Sequence, residues 1–112
     1  MTETEFMLFF KKYLNEEIIP TMVGKGLGQY SSEDDRFLNF NQLSYLKNEP
    51  KEKNLTDLCG KQVICLYYTM QKWMAGNRPP NFFPLMDELI KDIIVYMFLL
   101  RGMLYEREQD GA

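Results

Sequence analysis

The chain has 112 residues, 46% of them hydrophobic, which is enough for one domain of three or four helices around a real core. Its net charge of −3 argues against nucleic-acid binding, because such proteins carry a clustered basic excess. The chain has no histidine, which excludes Ser-His, Cys-His and His-ligated metal chemistry within it. We therefore expect no enzymatic activity, no cofactor, no metal and no small-molecule substrate.

The longest apolar run is the eight residues from Ile93 to Leu100, whereas a membrane-spanning helix needs about 20. No membrane span is therefore predicted. Cys59 and Cys65 are six residues apart on a predicted helix, so they point in different directions and are expected to be buried free thiols. Because the sequence shows neither a disulfide framework nor a signal-peptide pattern, we expect an intracellular protein, cytoplasmic or nuclear.

The first predicted helix covers residues 3–19. Thr2 and Glu5 have the spacing of a capping box, and Pro20 is expected to end the helix because proline disfavours the α conformation in the residue before it. Apolar residues recur at helical spacing at Phe6, Phe10, Tyr13, Leu14 and Ile18. Residues 21–31, with three alternating glycines, are predicted to form a loop, since their spacing fits no phosphate-binding motif.

The second predicted helix covers residues 32–47. Ser31 and Ser32 are candidate caps, and the three acidic residues that follow suit the first turn of a helix. The same acidic residues lack the ligand spacing and the turn glycine of a calcium loop.

The third predicted helix covers residues 55–75, with Asn54 as its N-cap and Gly76 just after its end. Its main apolar stripe contains Leu55, Cys59, Val63, Leu66, Met70 and Trp73. A shorter apolar patch elsewhere on the helix contains Ile64, Cys65 and Tyr68. A helix that is apolar on two sides is usually flanked on both, so this helix is expected to be central.

The fourth predicted helix covers residues 83–107, with Pro84 tolerated in the first turn, and the polar tail 106–112 is expected to fray. Its first apolar stripe contains Leu85, Leu89, Ile93, Tyr96, Leu100, Met103 and Leu104. A second stripe lies nearly opposite and contains Ile94, Val95, Phe98, Gly102 and Tyr105.

These patterns predict an all-α protein, a compact bundle of about four helices in a single domain. The second stripe of the last helix is either covered by the first two helices or left exposed for a partner. We favour exposure, which predicts a non-enzymatic protein-protein interaction or dimerisation module that binds itself or a partner helix. A two-fold homodimer is the default, with Ile94, Val95, Phe98, Gly102 and Tyr105 as the partner-binding residues.

Two other functions stay open. A nucleic-acid-associated adaptor subunit could use Lys11, Lys12, Lys72 and Arg78, provided that the fold brings them together near aromatic rings. A small enzyme without histidine could use a cysteine or a carboxylate in a pocket. The neighbouring carboxylates of Asp87 and Glu88 diverge by about 100° on a helix, which is typical of a solvated surface.

Overall fold

The computed structural model of the chain describes residues 1–25 and 36–111. In these two ranges the regular secondary structure is helical, with no strand, which confirms the predicted all-α class and its four helical stretches. The chain divides into two compact units, Met1–Asn39 and Phe40–Ala112. The single-domain organisation stays a prediction from chain length.

The first unit begins with helix α1, Glu3–Tyr13, followed by a π-helical segment, Leu14–Ile18, and helix α2, Ile19–Lys25. The predicted cap is present, because the Thr2 hydroxyl accepts a hydrogen bond from the Glu5 backbone N–H at 3.1 Å. The same hydroxyl donates to the Glu5 carboxylate at 3.2 Å. This arrangement satisfies one of the N–H groups that every helix start leaves without an intrahelical partner.

The expected helix end at Pro20 is wrong, since helical structure continues to Lys25. A π turn precedes the proline, and in it the Ile19 N–H donates to the Leu14 carbonyl, five residues back. The wider turn gives room to a ring that lacks an N–H and would clash with a carbonyl in a regular α-helix. Residues 21–25 are therefore helical and not part of a loop, and the rest of the predicted glycine loop, 26–31, lies outside the described residues.

The second unit contains most of helix α3, Leu38–Lys47, together with helix α4, Lys51–Met74, and helix α5, Phe82–Gln109. The predicted serine caps of the second helix lie outside the described residues. Arg36 and Phe37, which were predicted to be helical, form a turn, and α3 begins at Leu38. At its other end α3 stops where Asn48 adopts a left-handed φ of 53°. The Glu49 N–H then donates to the Ser44 carbonyl at 3.2 Å, which closes the helix end.

Helix α4 begins at Lys51, four residues before the predicted start, and Pro50 takes the N-cap position with φ −59° and ψ 143°. Proline suits the start of a helix because the N–H it lacks has no intrahelical partner there. Asn54, the predicted N-cap, therefore lies inside the helix and is 3% exposed. The predicted end is nearly right, since α4 stops at Met74 and Gly76 follows with a left-handed φ of 87°.

Helices α4 and α5 pack against each other and form the core of the second unit. Phe82, Met86 and Leu89 of α5 form a buried cluster against which Leu66 and Met70 of α4 pack. The rings of Trp73 and Phe82 stack with centroids 5.6 Å apart. Leu55 and Met103 are completely buried, so the core follows both long helices over most of their length.

Helix α5 continues to Gln109, beyond the predicted end at residue 107, and includes part of the tail that was expected to fray. Two ion pairs connect this end of α5 to the start of α4. The Lys51 ammonium contacts the Glu106 carboxylate, and Arg107 forms two hydrogen bonds with Glu52. These contacts hold the final turns of α5 against α4.

Candidate functional site

The main candidate site is an apolar stripe along the side of α5 that does not face the core, here called the α5 face. It is defined by Phe83, Ile90, Ile94, Met97, Phe98, Leu104 and Tyr105. Six of these side chains are between 39% and 66% exposed, and Ile94 is half-buried. Large apolar side chains placed contiguously on a surface are typical of a binding site, whereas single exposed ones are not.

A seven-residue repeat organises the α5 face. Phe83, Ile90, Met97 and Leu104 recur at this interval, and seven residues make nearly two helical turns. Side chains at this spacing lie almost in line along a helix, which is the arrangement that a second helix packs against.

The structure places the five predicted partner-binding residues in three environments. Phe98 is 52% exposed and Tyr105 is 56% exposed, so both belong to the α5 face. Ile94 and Gly102 are half-buried at their positions. Val95 is only 7% exposed, and its inclusion in an exposed patch is therefore wrong. The step from Ile94 to Val95 turns the helix by about 100°, which brings Val95 onto the buried side.

Sequence analysis did not find Phe83, Ile90 and Met97, and it assigned Leu104 to the covered stripe. The seven-residue spacing was a usable signal, but α5 is apolar almost all round. Periodicity alone could not tell which arc packs against α4. The structure settles this, because the buried residues Val95, Leu99 and Met103 define the covered arc.

Charged side chains interrupt the α5 face at two positions. Asp87 has a side chain 47% exposed and lies 3.5 Å from the Lys91 ammonium. Arg101 has a side chain 66% exposed and lies 3.9 Å from the Glu108 carboxylate. Both charges are therefore accessible to a binding partner within an otherwise apolar stripe.

Helix α4 also exposes apolar side chains, contrary to the expectation that it is flanked on two sides. Ile64 and Tyr68 are 58% and 59% exposed, and Cys65 is exposed as well. In the second unit α4 packs on α5 with one side only, so its shorter apolar patch is left in contact with solvent. Beside this patch, Leu43 of α3 and Leu58 of α4 line a shallow groove with Ile64.

Asn54 also lines this groove and is almost completely buried. Neither its side-chain oxygen nor its side-chain nitrogen has a hydrogen-bond partner among the described residues. Leaving a buried amide unpaired costs about 1–3 kcal/mol for each group.

In the first unit, α1 has no buried residue. Phe6, Leu8, Phe9 and Phe10 are each about half exposed or more. The rings of Phe9 and Tyr13 stack on each other, with centroids 5.7 Å apart. The apolar spacing of α1 therefore produces a third exposed apolar surface, where the sequence predicted only a helix with an apolar side.

The two cysteines differ in their surroundings. Cys59 is buried, and burial raises the pKa of its thiol because the thiolate is poorly solvated there. Cys65 is exposed, so the expectation that both thiols are buried is wrong for this residue. Its position on the uncovered side of α4 explains the difference. Among the described residues, no three His, Cys, Asp or Glu side chains come close enough to hold a metal ion.

The basic residues proposed for nucleic-acid binding fall in different units, with Lys11 and Lys12 in the first and Lys72 and Arg78 in the second. The Arg78 guanidinium lies 5.2 Å from the centre of the Phe83 ring, a cation-π contact at one end of the α5 face. Their joint use in binding nucleic acid stays a prediction.

Comparison of the chain with known protein families, with curated proteins and with solved structures finds no match. Within residues 1–25 and 36–111, no helix combines the length and the apolar character needed to cross a bilayer. The fold defines an all-α protein, and the main candidate site on it is the α5 face.

Proposed function

We propose that this protein is a non-enzymatic interaction module that self-associates as a homodimer through the α5 face. The observation that carries the proposal is the line of exposed apolar side chains at seven-residue spacing, from Phe83 to Leu104. Such a line matches the packing surface of a second helix in side-chain type and in period. Phe98 and Tyr105 widen the line on one side, and aromatic residues of this kind supply much of the energy in protein interfaces.

The energetics support burial of the α5 face. Complete burial of a large apolar side chain contributes about 1.5–3 kcal/mol relative to full exposure. Because the side chains of the α5 face are roughly half exposed, covering them would contribute on the order of several kcal/mol from each copy. Association must offset about 4–15 kcal/mol of lost translational and rotational freedom. Two identical faces together reach that range, which supports a symmetric pair.

A homodimer is also the simplest assembly that covers the face. In a two-fold dimer the same patch is buried on both copies, so each α5 face covers the other and both are removed from water. A partner of different sequence would need its own matching stripe. A second copy of the chain already carries such a stripe, since its α5 face has the same length and the same chemistry.

The experiment compares the molar mass of the wild-type chain with that of Phe98→Glu by light scattering at micromolar concentration. The proposal expects a dimer for the wild type and a monomer for Phe98→Glu, because a carboxylate in the interface would be desolvated without a partner. Tyr68→Glu is the matched control, since Tyr68 is an aromatic residue of similar exposure on α4. It should remain dimeric. A monomeric wild type, or a dimer that Tyr68→Glu disrupts and Phe98→Glu does not, would overturn the proposal.

A further inference from the structure

We propose that the two α5 helices in this dimer run antiparallel, with the two-fold axis passing beside Ile94 of each copy. This inference rests on the proposed function and adds the orientation and register of the partner. It follows from three pairs of residues that lie at equal distances on either side of Ile94 and match in chemistry.

Three symmetric pairs of residues on this side of α5 are centred on Ile94. Residues at equal distances before and after this position form three pairs: Ile90 with Phe98, Asp87 with Arg101, and Phe83 with Tyr105. The first pair is apolar, the second is oppositely charged and the third is aromatic. When one helix is reversed against the other, the members of each pair come to the same height along the interface.

The helical repeat keeps all three pairs on the same side of α5. Steps of four, seven and eleven residues rotate the side chain by about 40°, 20° and 20° from the direction of Ile94. The six paired residues therefore lie within about 40° of a single line. The stretch from Phe83 to Tyr105 is about 33 Å long at 1.5 Å per residue, enough for two helices to stay in contact at a shallow crossing angle.

The charges decide between the antiparallel and parallel orientations. In an antiparallel pair centred on Ile94, Asp87 of each copy lies opposite Arg101 of the other, which gives two attractive contacts. An in-register parallel pair would instead place Asp87 against Asp87 and Arg101 against Arg101. Such juxtaposition of like charges is unfavourable and is a common way in which interfaces reject an alternative register.

Both charged groups can take a partner across the interface in addition to their partners within the chain. The ion-pair distances within the chain are 3.5 Å from Asp87 to Lys91 and 3.9 Å from Arg101 to Glu108, both longer than an ordinary hydrogen bond. A carboxylate accepts several hydrogen bonds and a guanidinium donates up to five. Pairing across the interface can therefore be added to the contacts that already exist.

The decisive experiment is oxidative cross-linking of variants that each carry one introduced cysteine. They are made in a Cys65→Ser background, so that the remaining native thiol is Cys59, which is buried. Phe83→Cys and Tyr105→Cys chains are mixed, allowed to exchange subunits and oxidised, and the products are identified by mass. The antiparallel register expects the mixed disulfide between the two variants as the main product. A parallel dimer would instead give the two like-with-like disulfides and would overturn the inference.

A charge-swap series gives a second readout that does not depend on a cysteine. Asp87→Lys and Arg101→Glu should each weaken the dimer by about tenfold or more, because each creates two repulsive contacts. The double variant should recover most of the wild-type affinity. If the losses of dimer affinity caused by the two single changes simply added up in the double variant, the result would count against the proposed register.

The outcomes separate the two proposals. A wild-type chain that stays monomeric removes both the dimer and its register. A wild-type dimer that Phe98→Glu dissociates, but that gives only like-with-like disulfides, keeps the proposed function and removes the antiparallel register alone.

Discussion

Arg107 holds Glu52 through two parallel hydrogen bonds, from Nε to one carboxylate oxygen at 2.6 Å and from Nη2 to the other at 3.0 Å. The two residues are separated by 55 positions in the sequence, so the contact joins the last turns of α5 to the first turn of α4. Hydrogen bonding from Arg107 lowers the pKa of Glu52 despite an opposing effect of burial, and the same contact raises the pKa of Arg107.

This pair predicts a specific loss of stability in acid. A carboxylate whose pKa is lower in the folded state stabilises the fold above its unfolded pKa, about 4.3 for glutamate, and loses that contribution as the pH falls through the folded value. Arg107→Ala should therefore lower the thermal midpoint at neutral pH, and the difference from wild type should shrink on acidification through this range. Thermal unfolding, followed by circular dichroism at a series of pH values, measures this difference in midpoint between Arg107→Ala and the wild type.

Lys47→Ala is the matched control for the acid experiment, because the Lys47 ammonium lies 4.0 Å from the Glu49 carboxylate in an accessible ion pair away from the α5 face. It should change the midpoint little at any pH. If Arg107→Ala gave the same offset at every pH, the pair would not be the source of the acid sensitivity.

Met103 and Leu104 provide a test of which side of α5 is the core. Met103 is completely buried and Leu104 is 46% exposed, although they are adjacent in sequence. Met103→Ala should lower the free energy of unfolding by about 2–5 kcal/mol, the usual effect of removing a buried side chain of this size. Leu104→Ala should have a much smaller effect at concentrations where the chain is monomeric. Denaturant titration of both variants measures the difference, and equal losses would contradict the assigned arc.

Asn54 should destabilise the fold relative to an apolar residue of similar size. Its buried amide has no hydrogen-bond partner among the described residues. Asn54→Leu should therefore raise the free energy of unfolding, by about 1–3 kcal/mol if the leucine packs well. Asn54→Asp, which places a charge at the same position, should lower it. A leucine variant less stable than wild type would show that the amide has a partner in solution.

The two thiols should react at very different rates. Cys65 is exposed, whereas Cys59 is buried and has a raised pKa, so little of its reactive thiolate forms at neutral pH. A thiol reagent under native conditions should label Cys65 quickly, and it should label Cys59 only after the protein unfolds. Cys65→Ser should abolish the fast phase, and Cys59→Ala should leave it intact. Fast labelling of Cys65→Ser would contradict the assigned burial.

The helices were predictable because their signals are local. The Thr2 cap, the glycine after α4 and the proline in the first turn of α5 each act within one helical turn, and the sequence placed them correctly. The end of the first helix was not predictable from Pro20 alone. The helix continues past Pro20 because a π turn precedes the proline, and the spacing of apolar residues does not predict a π turn.

The candidate site was only partly predictable, since it depends on which arc of α5 meets α4. Phe98 and Tyr105 were identified as exposed because they lie opposite the main apolar stripe. Val95 and Leu104 were assigned to the wrong sides. Both lie near the boundary between the arcs, where a rotation of one residue reverses the assignment and only tertiary packing decides.

The molar mass of the wild-type chain, followed by sedimentation equilibrium across the micromolar range, tests directly whether the α5 face is an interface between copies. The chain mass is 13.3 kDa. The proposed dimer predicts a weight-average mass that rises with concentration and levels off at twice this value. A mass that stays at that of one chain throughout would show that the exposed stripe of α5 does not hold two copies together.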